Sequence, residues 1–146
     1  MWHCSKLNLH REAIICQLFV HAESSLWSSR TKSLRIQGVV TSIRLEVFFW
    51  DILEELSFRD HMTVNQAIAK LYLESLDADH DIGNFTSFLR VCCSRYLSLI
   101  ADGAFSREVE LPLGDVDAKH IIEQEAFRRK QRKSLFNHNL NQLSIN

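Results

Sequence analysis

Residues 39 to 66 constrain the fold more than any other part of the chain. A short segment that alternates between apolar and polar residues, V-V-T-S-I-R-L-E, runs directly into an aromatic-rich helical pattern and then into M-T-V-N-Q. The predicted order is therefore strand, helix, helix. Because one strand and two helices cannot cover the apolar face of that strand alone, we expect two copies of the chain to pair their strands into a ribbon.

The composition indicates one mostly helical domain with appendages. The chain has 146 residues, 46% of them hydrophobic, with only one Pro and four Gly. No apolar run reaches the roughly 18 residues of a membrane span, and the first residues lack the apolar core of a signal peptide. We therefore expect a cytoplasmic protein without a membrane partner. The four cysteines fit reduced thiols, and neither a metal nor another cofactor is expected.

The apolar pattern slips by one residue along the strand region. In an unbroken strand Ile36 would share a face with Arg44, whereas Ile43 would face the other way. A one-residue slip exchanges the two faces, so the strand must break, bulge or turn, and Gly38 permits this. Two alternatives remain open: Gln37 and Gly38 form a tight hairpin turn, or Gly38 carries a bulge.

Helices are predicted on both sides of a capping signal. The first follows Glu46. The second begins at Val64, because Thr63 and Gln66 have the spacing of a capping box. A third helix follows Asn84 and is expected to pack across the first two.

The chain divides into three segments on this basis. Residues 1–29 have no clear role, and residues 30–100 form the strand and helix domain. Residues 101–146 form an extension with a basic helix over 118–133 and a frayed tail.

Four runs carry a family resemblance: S-L-R-I-Q-G-V-V-T-S-I-R-L-E, F-F-W-D-I-L-E-E-L, R-D-H-M-T-V-N-Q-A-I-A-K-L and G-N-F-T-S-F-L-R-V-C-C-S-R-Y-L. Together they resemble the bacterial ribbon-helix-helix domain proteins of the MetJ/Arc superfamily, specifically the small subfamily with a third helix. The likeness covers roughly Arg30 to Ile100. It implies a mainly α fold with a short β-ribbon, in an intertwined homodimer that binds double-stranded DNA sequence-specifically as a transcriptional regulator.

The resemblance assigns roles to strand residues. Val40, Ser42 and Arg44 would face outward and read bases in the major groove, with Ile43 and Leu45 in the core. Arg44 could donate two hydrogen bonds to guanine, and Ser42 could bond either kind of base. Val40 departs from the family, in which a polar reader is usual at this position.

The resemblance also places a phosphate clamp at the start of the second helix. The amides of Val64 and Asn65, after Thr63, would bind a backbone phosphate, because a helix N-terminus offers free N–H groups and a positive dipole end. His61 stands where family members commonly carry Gly. A left-handed conformation is open to His at some cost.

The net charge of −1 favours DNA binding less than a basic chain would, since phosphate contacts need Lys or Arg. Non-specific phosphate contacts are expected from basic residues near the strand and near the C-terminus. These are Arg30, Lys32, Arg35, Arg128, Arg129 and Lys130.

A second hypothesis is an antitoxin-like or scaffold dimer whose third helix and C-terminal tail hold a protein partner. No catalytic side-chain arrangement or Gly-rich phosphate loop stands out, so an enzyme is not expected.

Overall fold

The computed structural model describes residues 16–80, 83–108 and 110–144. In these ranges a hairpin is followed by four α-helices. The strands are β1 (Ser29–Ile36) and β2 (Val39–Glu46), and the helices are α1 (Val47–Arg59), α2 (Val64–Asp77), α3 (Phe85–Ala101) and α4 (Ala118–Leu143). Short 3₁₀ turns lie at Ser24–Trp27 and Leu113–Asp115, and residues 16–20 are also helical.

The hairpin turn consists of two residues. Gln37 and Gly38 have φ angles of +49° and +80°, the left-handed conformation that tight hairpins require. Ile36 is therefore opposite Val39, and even-numbered positions of β1 pair with odd-numbered positions of β2. This register explains the slip in the apolar pattern and excludes the bulge.

Within one chain β2 already has a partner strand, which the prediction of a ribbon made from two copies did not include, and pairing between copies stays a prediction. Residues 29–36 form this partner strand, since β1 and β2 are antiparallel neighbours. The helices of the same chain cover the inner face of the hairpin, where Leu34, Ile43 and Leu45 are buried. Trp50 of α1 lies beside this face and donates from Nε1 to the carbonyl oxygen of Arg30 at 2.9 Å.

The core beneath the hairpin combines residues of three helices. Its fully buried members include Leu53 of α1, Ile68 of α2, and Leu89 and Cys93 of α3. Packing of this kind holds the short ribbon, which would be marginally stable alone.

The α1–α2 turn has the predicted form. His61 has φ +55°, and the amides of His61 and Met62 donate to the carbonyls of Phe58 and Ser57, as in a Schellman motif. The capping box is also confirmed: Thr63 Oγ1 accepts from the amide of Gln66 at 3.2 Å, and Gln66 Oε1 accepts from the amide of Thr63 at 2.9 Å. The third helix is likewise capped by Asn84.

A buried arginine organises the segment between α3 and α4. Arg59 is 7% exposed, and its guanidinium donates to the carbonyl of Ser106 at 3.0 Å and to that of Leu111 at 3.1 Å. The rings of Tyr96 and Phe105 flank it, with centroids 5.9 and 5.2 Å away. Arg59 thus fixes the path by which the chain reaches α4.

Helix α4 is longer than the predicted 118–133 and includes most of the segment that was predicted to be a frayed tail. It continues to Leu143, since residues 134–143 contain no Gly or Pro to stop it. Arg95 pairs with Glu125, and Arg132 pairs with Asp102 at 2.7 Å. These contacts attach α4, as far as Arg132, to α3 and to the Asp102 cap at its end.

Candidate nucleic-acid interface

The hairpin has an outward face that the rest of the described chain leaves open. Every second side chain of each strand lies on it, and the members between the end pair Ser29–Glu46 and the turn are all exposed polar, basic or aliphatic residues. They are Thr31, Ser33 and Arg35 of β1, and Val40, Ser42 and Arg44 of β2.

The predicted division of β2 into two faces is found. Ile43 and Leu45 are 2% and 0% exposed, whereas Val40 is 60% exposed and Ser42 and Arg44 are exposed beside it. The three residues predicted to read bases therefore share one accessible surface.

The cross-strand register determines where the arginine and serine side chains lie on this face. Arg44 is opposite Thr31, and Arg35 is opposite Val40, so the two guanidinium groups lie at opposite ends and on different strands. Between them, Ser33 and Ser42 form the central pair. Arginine donates two hydrogen bonds to guanine, hydroxyls bond to bases or phosphates, and an aliphatic group contacts the thymine methyl.

Sequence reasoning missed Thr31 and Ser33 and did not place Arg35 on this face. The signal was available, because the one-residue slip combined with a two-residue turn makes residues 29–36 the partner of β2.

One carboxylate lies at the end of the outward face. Glu46 is opposite Ser29, and the guanidinium of Arg90 hydrogen-bonds to it and holds its pKa below the usual range. Its charge is thereby compensated within the protein, and Arg35 and Arg44 leave the face positive.

The start of α2, where a phosphate clamp is predicted, has a pair of backbone donors outside the capping box. The capping box engages the amides of Thr63 and Gln66, and the first intrahelical bond runs from the Ala67 amide to the Thr63 carbonyl at 3.0 Å. The amides of Val64 and Asn65 belong to the first turn, which has no intrahelical acceptors for them. These two amides are therefore not used by the cap, and phosphate binding to them stays a prediction.

The structure does not bring the six predicted basic residues together. Arg35 lies on the outward face, whereas Lys32 points inward, with Nζ 4.7 Å from the Trp50 ring centroid and 3.8 Å from the Glu54 carboxylate. Arg30 also belongs to the inward-facing positions of β1, although it is exposed.

The C-terminal members of that set differ among themselves. Arg128 donates to the Asp102 carbonyl at 2.6 Å, whereas Arg129 and Lys130 are exposed on α4.

Three further features of the described ranges concern metal ions, a thiol and membrane spans. No group of three His, Cys, Asp or Glu side chains there is placed to hold a metal ion. Burial raises the pKa of the Cys93 thiol to about 12, so this thiol is protonated at neutral pH. None of the described helices is long and apolar enough to cross a membrane.

Comparison with known proteins identifies the fold. Residues 29–97 match the model of a ribbon-helix-helix domain family. A solved structure, that of an uncharacterized protein from Bordetella pertussis Tohama I, is 44% identical in sequence, with a TM-score of 0.70. The match covers 73% of this chain and 86% of that one. No curated protein shows significant similarity. Through its hairpin and first three helices, the chain belongs to the ribbon-helix-helix domain family.

Proposed function

We propose that the chain is a cytoplasmic homodimer that binds double-stranded DNA sequence-specifically and regulates transcription by occupying an operator. Proteins with ribbon-helix-helix domains generally bind DNA, as transcription regulators or antitoxins. The observation that carries the proposal is the outward face of the hairpin, which is exposed, lacks an uncompensated carboxylate and presents Arg35 and Arg44 around a hydroxyl pair.

The dimer is proposed to form along the open edge of β2. Within the described residues β2 is paired with β1 on one side alone, so its other edge offers backbone donors and acceptors to the β2 strand of a second copy. Four strands would then lie side by side, with the outer two roughly 14 Å apart. The major groove is about 12 Å wide and admits two strands.

This geometry gives the two strands of each hairpin different roles. The two central β2 strands enter the groove, where Val40, Ser42 and Arg44 meet base edges. The outer β1 strands lie at the groove rim, where Arg35 meets the sugar-phosphate backbone. Arg44 then contributes specificity, and Arg35 contributes affinity that depends on salt.

Further phosphate contacts come from the helices. The amides of Val64 and Asn65, with the hydroxyl of Thr63 beside them, bind one phosphate per chain. Arg129 and Lys130 are exposed and are proposed as weaker, non-specific contacts. The net charge of −1 makes these local positive groups necessary for binding.

Selection from random duplex DNA tests the proposal. The purified protein is incubated with the library, the bound fraction is sequenced, and the mass of the protein in solution is measured in parallel. We expect a dimer and an enriched motif with approximate palindromic symmetry, since a twofold protein reads two half-sites. A dimer that enriches no motif, and whose DNA affinity does not fall with salt, would instead support the protein-interaction hypothesis. A monomer would contradict the dimer geometry.

A further inference from the structure

Beyond Arg132, which pairs with Asp102, the last turns of α4 are exposed. Every side chain from 129 to 144 is exposed, although this stretch includes several large apolar residues. Phe136, Leu140 and Leu143 are 56%, 61% and 73% exposed. Their spacing of four and three residues places them on one side of the helix, and we call these three residues the apolar stripe.

The apolar stripe continues the face by which α4 is attached to α3. Glu125 and Arg132, which make the ion pairs to α3, are spaced by helical repeats from Phe136. A helical segment of this length is marginally stable in water when nothing packs on it. A surface that packs on the apolar stripe would therefore stabilise this part of the helix.

Charge is distributed unevenly along this part of the helix. Residues 134–146 contain no Lys, Arg, Asp or Glu, whereas Arg129, Lys130 and Lys133 immediately precede them. The stripe has no charged side chain that could form an ion pair with a partner, so charge cannot select the partner surface at this place. An equally uncharged apolar helix face matches it.

We propose that the apolar stripe pairs with the same stripe of a second copy that belongs to another dimer, in antiparallel orientation. The stripe is complementary to itself in this arrangement: Phe136 of one copy packs beside Leu143 of the other, and Leu140 lies near the twofold axis. A twofold interface of this kind uses the same surface on both chains.

Charge decides the orientation. A parallel pair would place Arg129, Lys130 and Lys133 against the same residues of the other copy. In the antiparallel pair these cations instead lie near the C-terminal end of the partner helix, where the helix dipole is negative. With three large side chains per copy, the contact is smaller than a standard stable interface. We therefore expect association that depends on concentration.

Sedimentation of the full chain tests the proposal with two matched variants. Leu140→Asp places a charge on the stripe, and Asn141→Asp places the same charge one residue further along, off the stripe, at a similar distance from the helix end. The step in mass that reports the stripe is the one beyond the proposed β2-paired dimer. We expect wild type and Asn141→Asp to show this step alike, and Leu140→Asp to require a roughly 100-fold higher concentration for it. Circular dichroism checks that both variants keep their helices.

The orientation has its own test. Lys133→Glu should weaken the step in the antiparallel pair, because Glu then lies near the negative helix end of the partner, whereas it would strengthen a parallel pair by removing repulsion. Strengthening overturns the proposed orientation.

Equal masses for wild type and Leu140→Asp at all concentrations overturn self-pairing and leave the stripe to a protein of different sequence. This outcome is independent of DNA binding, since pairing through the β2 edge would give both proteins the same mass.

Discussion

Arg90 donates two hydrogen bonds to the carboxylate of Glu46, from Nε at 2.9 Å and from Nη2 at 3.1 Å. Glu46 is the last residue of β2 and Arg90 lies on α3, so the pair ties the third helix to the end of the ribbon. The same contact compensates the carboxylate on the outward face of the hairpin. One ion pair thus serves both the packing of α3 and the charge of the proposed DNA-binding surface.

Replacing Arg90 should lower stability slightly. Arg90→Lys keeps the charge but loses the paired geometry, which a single ammonium group cannot reproduce. Because both side chains are partly exposed, we expect a loss of about 0.2–1 kcal/mol in the free energy of unfolding. Urea unfolding of Arg90→Lys, Glu46→Gln and the double variant gives the coupling energy. Lys70→Ala, which removes the exposed Lys70–Glu74 pair within α2, is the control. A coupling energy of zero would contradict the assigned contact.

Loss of Arg59 should lower the free energy of unfolding more than loss of Arg90 does. Arg59→Met keeps an extended side chain but leaves the carbonyls of Ser106 and Leu111 without their donor. Unpaired polar groups are costly in a partly buried place, and we expect a loss of about 2–4 kcal/mol. Phe58→Met, at the neighbouring position that is 82% exposed, should change stability by no more than about 0.5 kcal/mol. If Arg59→Met and Phe58→Met had equal melting temperatures, Arg59 would not hold the segment between α3 and α4.

The left-handed residue of the α1–α2 turn offers a stabilising substitution. His61 has φ +55° at the position where a helix usually ends with Gly, and an L-residue adopts that conformation at a cost. We expect His61→Gly to raise the free energy of unfolding by about 0.5–1 kcal/mol.

The reciprocal substitution is Gly103→Ala, after α3. Gly103 has φ +77°, and no atom lies within 4 Å of the position that its Cβ would take. We expect a loss of about 1 kcal/mol from conformation alone. Chemical denaturation measures the free energy of unfolding of His61→Gly and of Gly103→Ala. If both free energies changed in the same direction, the left-handed conformation would not determine the effect of these substitutions.

Acid should unfold the protein through its paired carboxylates. Glu55 accepts from Arg107 Nη2 at 2.6 Å and from the Tyr96 hydroxyl at 2.6 Å, and the Arg107 hydrogen bond holds the pKa of Glu55 below its ordinary value of 4.5. A carboxylate with a lowered folded-state pKa stabilises the fold above its unfolded-state pKa. That stability is lost as the pH falls through the folded-state pKa.

Urea midpoints at pH 7 and at pH values below 4.5 test this expectation. Glu55→Gln should be less stable than wild type at pH 7 and should lose less stability on acidification. Glu123→Gln removes an exposed carboxylate of α4 and should keep the wild-type pH dependence. Parallel curves for wild type and Glu55→Gln would exclude Glu55 as a source of the acid sensitivity.

Local signals in the sequence predicted the helices well and the pairing of strands poorly. The capping box at Thr63 and the cap at Asn84 depend on residues three positions apart, so the sequence shows them directly. The intrachain ribbon depends on Leu34 facing the same core as Ile43, which requires the turn to be settled first. The parity slip indicated a turn but left a bulge equally open.

In the candidate site, too, positions set by local patterns could be predicted and positions set by tertiary contacts could not. The outward position of Arg44 could be predicted from alternation along one strand. The positions of Lys32 and Arg128 could not, because each depends on a tertiary partner: the Trp50 ring for Lys32 and the Asp102 carbonyl for Arg128. A basic residue in a sequence does not reveal whether an acceptor of the same chain already engages it.

The two outward arginines should respond differently to removal. If the β2 strands enter the groove, Arg44→Ala removes a base contact, and we expect a loss of roughly 1–3 kcal/mol in binding to the selected operator, with relaxed preference at one base pair of each half-site. Arg35→Ala removes a contact at the groove rim. It should weaken binding to all sequences about equally and reduce the dependence of affinity on salt.

Binding titrations against the operator and against a scrambled duplex, at two salt concentrations, separate these outcomes. Lys119→Ala, which removes an exposed charge at the start of α4, is the control and should leave both affinities unchanged. If Arg35→Ala relaxed specificity as Arg44→Ala is expected to do, the hairpin of each chain would be reading bases with both of its strands. If neither variant altered DNA binding, the outward face of the hairpin would not be the interface.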